Sequence, residues 1–206
     1  ENARDCLIAR NNLTLAELPT GAVVGTGAPR RIAQLKALRP DIHTFPLRGN
    51  IDTRMAKVHD GELDAVVLAY AGLSRVHRAD EATEVFDPLE FLPAPAQGAL
   101  AVECRADDAD TIAAITTIAD STAYACAHTE RVVLARLEAG CTAPVAAYAT
   151  VAADNIMTLH AAVIAVDGSA TLRATAAGPI DTAENLGMTV ARALLDDGAS
   201  SLLAAS

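Results

Sequence analysis

The stretch from Val23 to Arg54 most constrains the fold, because short apolar runs alternate there with glycine loops and helical segments. It reads VVGTGAPRRIAQLKALRPDIHTFPLRGNIDTR. A short strand ends in the loop Gly25-Thr26-Gly27, and Pro29 suits the first turn of a helix. A second strand, a second glycine turn and a second helix follow, and Asp52 is predicted to cap that helix, which runs through His59. This order predicts an α/β sheet, and such sheets bind ligands beyond the carboxyl ends of their strands.

The remainder of the first half extends this pattern. Residues 5–10 are predicted to form a strand, and residues 63–70 (LDAVVLAY) are a nearly continuous apolar run, typical of a parallel strand covered on both faces. We therefore expect an open α/β domain with a parallel core. Residues 79–98 carry three prolines and are predicted to be a connection, followed by a strand at residues 99–103 and a helix at residues 109–119.

The pattern changes after residue 120, where a helix is followed by strands. Ser121 is predicted to cap a helix from Thr122 to Glu138, with Gly140 as its C-cap. Residues 145–151, 156–166 and 170–176 are predicted to be strands, with a hairpin turn at Asp167-Gly168. Asp181 and Glu184 resemble a capping box for a helix ending near residue 197. The second unit is therefore predicted to be a small α+β domain.

Charge and cysteine usage restrict the class of protein. The formal net charge is -10, which argues against a nucleic-acid partner. The longest run without a charged residue, residues 139–153, is too short to span a bilayer as a helix. The four cysteines show no CxxC and no zinc spacing, so a reducing cytoplasm with free thiols is expected. The histidines show no spacing typical of metal ligands, and no metal site is predicted.

The arginines are the first candidates for function. Residues 30–78 contain nine Lys/Arg against five Asp/Glu, a basic segment in an acidic chain. Most surface arginines form ion pairs of little consequence, but these lie where the backbone changes direction. Because arginine pairs with carboxylates and phosphates through two parallel hydrogen bonds, the pattern predicts an anion site. The candidates are Arg30, Arg31, Arg48, Arg54 and Arg75.

Cys141 is the second candidate, and the residues around it leave two interpretations open. It follows Gly140 directly and precedes Pro144, which predicts an exposed loop. One interpretation is a small residue in a tight turn. The other is a thiol held for covalent attachment or nucleophilic work.

Five segments occur in this order: VGTGAPRRIAQL, LRGNIDTRMAKV, LDAVVLAYAGLSR, LPAPAQGALAVECR and LEAGCTAPVAAYA. Together they resemble the porphobilinogen deaminase (hydroxymethylbilane synthase) family. The resemblance runs from about Arg4 to the C-terminus. It implies a transferase of porphyrin and heme biosynthesis that condenses four porphobilinogen molecules head to tail with loss of ammonia.

The resemblance also assigns residues. The family builds its product on a dipyrromethane cofactor joined by a thioether to a cysteine, which matches Cys141. By the same match, Thr26, Arg30 and Arg31 bind the cofactor, and Arg48, Arg54 and Arg75 bind the substrate carboxylates. The family is expected to act as a cytoplasmic monomer without nucleic-acid or membrane partners.

The family architecture implies three regions in this chain. Residues 4–92 match the family's second domain, a substrate- and cofactor-binding α/β domain like a periplasmic binding protein. Residues 93–119 match a hinge and a return segment of the family's first domain, which is of the same kind and is incomplete here. Residues 120–206 match a small α+β domain that carries the cysteine loop.

Two departures from the family pattern lead to further expectations. Gly27-Ala28 stands where the family commonly has two serines, which removes two hydroxyl donors near the cofactor. No segment matches the family's Lys-Asp pair, whose aspartate is the catalytic acid, so no catalytic residue is identified and the chain alone is expected to have little activity. The alternatives are a non-catalytic anion-binding module of the periplasmic-binding type and a truncated, inactive chain.

Overall fold

Two β-sheets organise the computed structural model, which describes residues 1–140 and 142–204. Five strands form the first sheet in the order β3-β2-β4-β1-β5, and three antiparallel strands form the second in the order β6-β7-β8. The strands are β1 (Asp5–Ala9), β2 (Val23–Gly25), β3 (His43–Phe45), β4 (Ala65–Ala69), β5 (Glu84–Val85), β6 (Val145–Val151), β7 (Ile156–Ile164) and β8 (Thr171–Pro179). The helices are α1 (Pro29–Leu38), α2 (Ile51–His59), α3 (Tyr70–Arg75), α4 (Ala109–Thr116), α5 (Ser121–Arg136), α6 (Ala183–Asp196) and α7 (Ala199–Ala204).

The first sheet is mixed rather than wholly parallel. β2 pairs in parallel with β3 and β4, which is the predicted parallel core. β1 runs antiparallel to β4, with Asp5 opposite Ala69 and Ala9 opposite Ala65. Side chains alternate across β4: Ala65 and Val67 pack in one core and Val66 and Leu68 in another. Burial of both faces explains why this strand is apolar throughout.

Three helix starts differ from the predictions, because in each case another residue holds the cap position. Asn50 rather than Asp52 caps α2, since its side chain accepts a hydrogen bond from Thr53 N at 2.9 Å. Asp120 rather than Ser121 caps α5, through Ala123 N at 2.9 Å. The predicted capping box before α6 is wrong, because α6 begins after Thr182 without a side-chain cap.

Two further predictions about local structure are wrong. Residues 99–103 form no strand, because no described strand pairs with them, and Leu100 is 72% exposed. Gly140 does not end α5: the helix ends at Arg136, and Glu138 adopts the left-handed conformation with φ of 51°. The hairpin turn between β7 and β8 is confirmed, with Gly168 at φ of 78°.

The second sheet packs against helices on one face and against the first domain on the other. Its core includes Val133 of α5, Leu159 of β7 and Leu194 of α6. On the other face a small apolar cluster joins the domains and contains Ala33, Leu92, Ala146, Ala162 and Ile164. The two sheets are therefore packed through α1 and the segment before residue 93.

Across residues 1–140 and 142–204, no helix is both long enough and apolar enough to cross a bilayer.

Candidate functional site

The candidate site lies at the edge of the first sheet where β2, β3 and β4 end. Gly25 is paired with Phe45 of β3 and with Val66 of β4, so the loops after these strands are neighbours. Because β1 runs in the opposite direction, its first residue, Asp5, lies at this same edge opposite Ala69. The carboxyl ends of parallel strands and the amino end of β1 therefore converge on one region.

A cluster of three buried charged residues, Asp5, Arg30 and Arg31, lies at this edge of the sheet. Asp5 is fully buried, and Arg30 and Arg31 are 4% and 8% exposed. Arg31 donates to Asp5 Oδ1 from Nη2 at 2.8 Å and from Nε at 3.1 Å. Arg30 Nη2 lies 2.7 Å from Asp5 Oδ2, an ion-pair contact. Two guanidinium groups and one carboxylate leave a net positive charge in the cluster.

The pKa values of the cluster follow from burial and pairing. Burial raises the pKa of Asp5, but the charges of Arg30 and Arg31 and a hydrogen bond from Gln97 outweigh it, so the pKa lies below its usual value. Burial also lowers the pKa of the Arg30 guanidinium, against the opposing effect of Asp5. Asp5 is therefore ionised at neutral pH despite having no contact with solvent.

Further contacts hold the two arginines in place. Arg30 Nη1 donates to the Leu92 carbonyl at 2.5 Å, and the Arg30 guanidinium lies 5.9 Å from the centre of the Phe91 ring. Arg31 Nη1 donates to the Val67 carbonyl at 3.2 Å. Arg30 is thus engaged on both terminal nitrogens and faces the protein interior, whereas Arg31 extends along the sheet edge.

Gln97 connects this cluster to the segment that precedes the second domain. Its Nε2 donates to Asp5 Oδ1 at 2.9 Å and to the Ala3 carbonyl at 2.7 Å. Its Oε1 accepts from Arg30 Nη2 at 3.4 Å and from Arg31 Nη2 at 3.5 Å. One side chain therefore contacts all three charged members of the cluster.

A cavity of about 240 Å³ opens beside Arg31. Its walls combine two arginines with backbone and apolar groups: Arg31, Arg54, Gly49, Asn50, Ile51, Leu68, Ala69 and Gly72. Arg54 Nε donates to the Gly49 carbonyl at 2.8 Å, and the two terminal nitrogens of Arg54 have no partner among the described residues. Burial lowers the pKa of Arg54, and the like charge of Arg31 lowers it further. Two cations facing one cavity favour an anionic occupant.

The larger cavity, about 530 Å³, lies at the opposite edge of the sheet. Arg10, His59, Asp80 and Glu81 contribute charges of both signs to its lining. Arg10 is already paired with Asp64 at 3.5 Å. This cavity lacks the excess of positive charge that distinguishes the smaller one, and none of the predicted site residues lines it.

The loop after β2 lies tightly against the loop after β3. Thr26 is 2% exposed, and its backbone N donates to the Phe45 carbonyl at 2.9 Å. The Thr26 hydroxyl accepts from Ala28 N at 3.4 Å. A Cβ atom on Gly27 would lie 2.7 Å from the Leu47 carbonyl oxygen. The glycine at position 27 therefore allows the two loops to approach closely.

The remaining predicted site residues, Arg48, Arg75 and Cys141, differ in their contacts. Arg48 is exposed at the same edge and makes no hydrogen bond or ion pair within the described part of the chain. Arg75 pairs with Glu1 at 2.9 Å and donates to the Gly98 carbonyl at 2.9 Å. Cys141 lies outside the described residues. Arg31 and Arg54 are thus the pair that the structure brings to one cavity.

Comparison with known proteins identifies the family. Residues 1–113 match the family described as "Porphobilinogen deaminase, dipyromethane cofactor binding domain", and residues 124–196 match "Porphobilinogen deaminase, C-terminal domain". The chain belongs to the porphobilinogen deaminase family. The resemblance drawn from the five segments is confirmed, and the match over residues 1–113 supports the expected dipyrromethane cofactor.

Individual relatives extend this match over nearly the whole chain. The porphobilinogen deaminase of Corynebacterium diphtheriae is 66% identical over 202 residues, which is 97% of this chain and 68% of the relative. That of Corynebacterium glutamicum is 59% identical and covers 98% of this chain and 68% of the relative. That of Nocardia farcinica is 52% identical and covers 98% of this chain and 61% of the relative.

Asp5 belongs to the buried cluster and Gln97 contacts it, although neither is among the predicted site residues. Gln97 lies in the segment predicted to be a connection, and Asp5 lies in a predicted strand. A signal for Asp5 was present, because it is a charged residue at the start of the apolar run Cys6–Ala9. A buried carboxylate requires a cationic partner, and the nearby arginines are the candidates.

Proposed function

We propose that this chain carries the carboxylate-binding site of a porphobilinogen deaminase, a transferase of porphyrin and heme biosynthesis. The observation that carries the proposal is the cavity between Arg31 and Arg54, with its net positive floor and its apolar walls. Porphobilinogen is a flat pyrrole with an acetate and a propionate, so it matches two cations on an otherwise apolar surface. The family match disfavours the alternative of a non-catalytic binding module.

The proposed roles follow from the contacts of each residue. Arg54 offers two unpaired terminal nitrogens to one substrate carboxylate. Arg31 binds a carboxylate of the cofactor in the same cavity. Arg30, buried behind the cavity wall, contributes positive charge. Thr26 shapes the loop beside the cofactor through its backbone and hydroxyl contacts. Arg48 and Arg75 bind further substrate carboxylates at the rim.

The residues fit a dipyrromethane cofactor, because the cluster has a positive charge that no described carboxylate neutralises. When bound through a thioether to Cys141, the cofactor supplies the terminal pyrrole carbon to which porphobilinogen is added. The arginines bind and orient the acetate and propionate groups, and the apolar walls contributed by Ile51, Leu68 and Gly72 exclude water from the rings.

The finer assignments complete the proposal. Residues 4–92 form the family's second domain, which is like a periplasmic binding protein. Residues 93–119 form a hinge and a return segment of the first domain, and residues 120–206 form the domain of the cysteine loop. The protein is a cytoplasmic monomer, without nucleic-acid or membrane partners. The three described cysteines are free, which supports a reducing compartment, and the net charge of -10 argues against a nucleic-acid partner.

The cofactor test uses the intact mass of the purified chain after incubation with porphobilinogen or with the tetrapyrrole product. We expect an added mass of two pyrrole units, absent from Cys141→Ser. An unmodified wild-type chain under both conditions contradicts the assignment of Cys141.

The binding test compares Arg54→Gln with Arg10→Gln by calorimetric titration with porphobilinogen. Loss of a charge-assisted pair costs about 1.5–3 kcal/mol, so the dissociation constant of Arg54→Gln is expected to rise about 10- to 100-fold. Arg10 lies at the opposite edge and its replacement leaves the constant unchanged. Equal constants for wild type and Arg54→Gln overturn the proposed carboxylate site.

A further inference from the structure

Among the described carboxylates, Asp5 alone combines burial with a position at the edge of the sheet that carries the candidate site. It is fully buried, at the edge of the sheet where the arginine cavity opens. After Asp5 the chain carries no further charge until Arg10, so Asp5 begins an otherwise apolar strand. A buried ion pair is poor evidence for stability by itself, because desolvation of both charges opposes folding. A role in the site therefore needs its own argument.

The contacts of Arg31 provide that argument. Three of its nitrogens are used: Nε and Nη2 donate to Asp5 Oδ1, and Nη1 donates to the Val67 carbonyl. Asp5 thus accepts two of these three hydrogen bonds. Arg54, on the other wall of the cavity, is held through Nε alone. Asp5 therefore fixes the orientation of the Arg31 guanidinium, although Asp5 does not line the cavity.

Asp5 also controls the charge beneath the cavity. Its second oxygen lies 2.7 Å from Arg30 Nη2, so a single carboxylate contacts both buried guanidinium groups. Without it, two like charges would face each other in a buried region. Arginine cannot release its proton there, so the two side chains would have to separate.

We propose that Asp5 is a positioning residue, which holds the Arg31 guanidinium at the cavity wall and offsets the charge of Arg30. This inference rests on the proposed function, because it assumes that the cavity binds pyrrole carboxylates. Asp5 itself touches no ligand. Its effect on binding is confined to the carboxylate that Arg31 contacts.

The test measures dissociation constants for three ligands by calorimetric titration. These are porphobilinogen, porphobilinogen with its acetate converted to a methyl ester, and porphobilinogen with its propionate converted to a methyl ester. Asp5→Asn keeps the shape of the side chain and removes its charge. Asp64→Asn is the matched control, because Asp64 also pairs with an arginine, Arg10, but at the opposite edge of the sheet.

We expect Asp5→Asn to raise the dissociation constant for porphobilinogen about tenfold or more, since the two hydrogen bonds that Arg31 donates to position 5 lose their charged acceptor. The same rise is expected for one ester and is expected to vanish for the other, which lacks the carboxylate bound by Arg31. Asp64→Asn leaves all three constants unchanged. An equal rise for all three ligands shows a merely structural role and overturns the inference.

A second pair of variants covers failure of Asp5→Asn to fold. Arg30→Met and Arg30→Met/Asp5→Asn differ only at position 5, and the double variant keeps the net cluster charge of the wild type. A dissociation constant that is higher for the double variant with porphobilinogen and with one ester, but not with the other ester, supports the inference. An equal rise for all three ligands overturns it. If the wild type binds neither porphobilinogen nor its esters, the proposed function fails, and the inference fails with it.

Discussion

The buried carboxyl of Glu130 is expected to make the stability of the chain depend on pH near neutrality. Glu130 lies on α5 and is 5% exposed. It accepts hydrogen bonds from Ala96 N at 2.6 Å and from Ala149 N at 2.7 Å, so it joins α5 to the connecting segment and to β6. No ion pair to Glu130 occurs among the described residues. Burial raises its pKa from 4.5 to about 7, against the opposing effect of the two hydrogen bonds.

The direction in which stability changes with pH follows from the number of protons bound by the folded and unfolded states. At a pH between 4.5 and about 7, the folded protein keeps the proton on Glu130 while the unfolded chain releases it. The free energy of unfolding therefore falls as the pH rises through this window and levels off above the folded pKa. A pKa difference of about 2.5 units corresponds to about 3 kcal/mol in total, of which about 2 to 3 kcal/mol is lost between pH 5 and pH 8.

Urea denaturation followed by circular dichroism at pH 5 and pH 8 measures this loss. Glu130→Gln has no titrating group at this position, so its free energy of unfolding is expected to lack this fall. Glu103→Gln, which replaces an exposed carboxyl, is the control and keeps the wild-type dependence. The reasoning is refuted if Glu130→Gln and wild type lose the same free energy between the two pH values.

Two glycine substitutions test the close packing of the elements. A Cβ on Gly187 of α6 would lie 2.8 Å from the Thr129 carbonyl oxygen and 2.8 Å from Val132 Cβ, so Gly187→Ala should force α5 and α6 apart. We expect a loss of about 1–3 kcal/mol, seen as a melting temperature lower by about 3–10 °C, and an unchanged value would contradict the packing. Gly27→Ser should displace the loop after β2 from the Leu47 carbonyl and weaken porphobilinogen binding in calorimetry. Wild-type affinity together with a wild-type melting temperature would show that the loop has room for a side chain.

Local sequence patterns determined most of the elements correctly. The apolar run of β4, the proline at the start of α1 and the three strands of the second sheet are visible because periodicity and turn residues act over a few positions. The strand β6 was predicted at its observed bounds, residues 145–151. The errors concern caps, where neighbouring polar residues such as Asp120 and Ser121 compete for one hydrogen bond. The predicted strand at residues 99–103 was wrong because a strand needs a partner, which local pattern does not reveal.

The ordered motifs were enough to identify the family, because the glycine loop, the arginines and the EAGCTAP segment each restrict the possible relatives. The sequence also indicated that an anion site lies at the carboxyl edge of the sheet. The local pattern did not separate the five arginines, since all have similar local surroundings, and only the family resemblance divided them between cofactor and substrate.

Only the tertiary structure decided how those arginines differ. Arg30 is buried beneath the site, whereas Arg31 and Arg54 share a cavity. The reversal of β1 brings Asp5 to the arginines, and Gln97 reaches Asp5 across 92 positions of the chain. Contacts of this kind depend on strand direction and on chain crossings, which hydrophobic periodicity does not specify. The sequence therefore determined which charges the protein carries to this edge, and the fold decided which of them face the cavity.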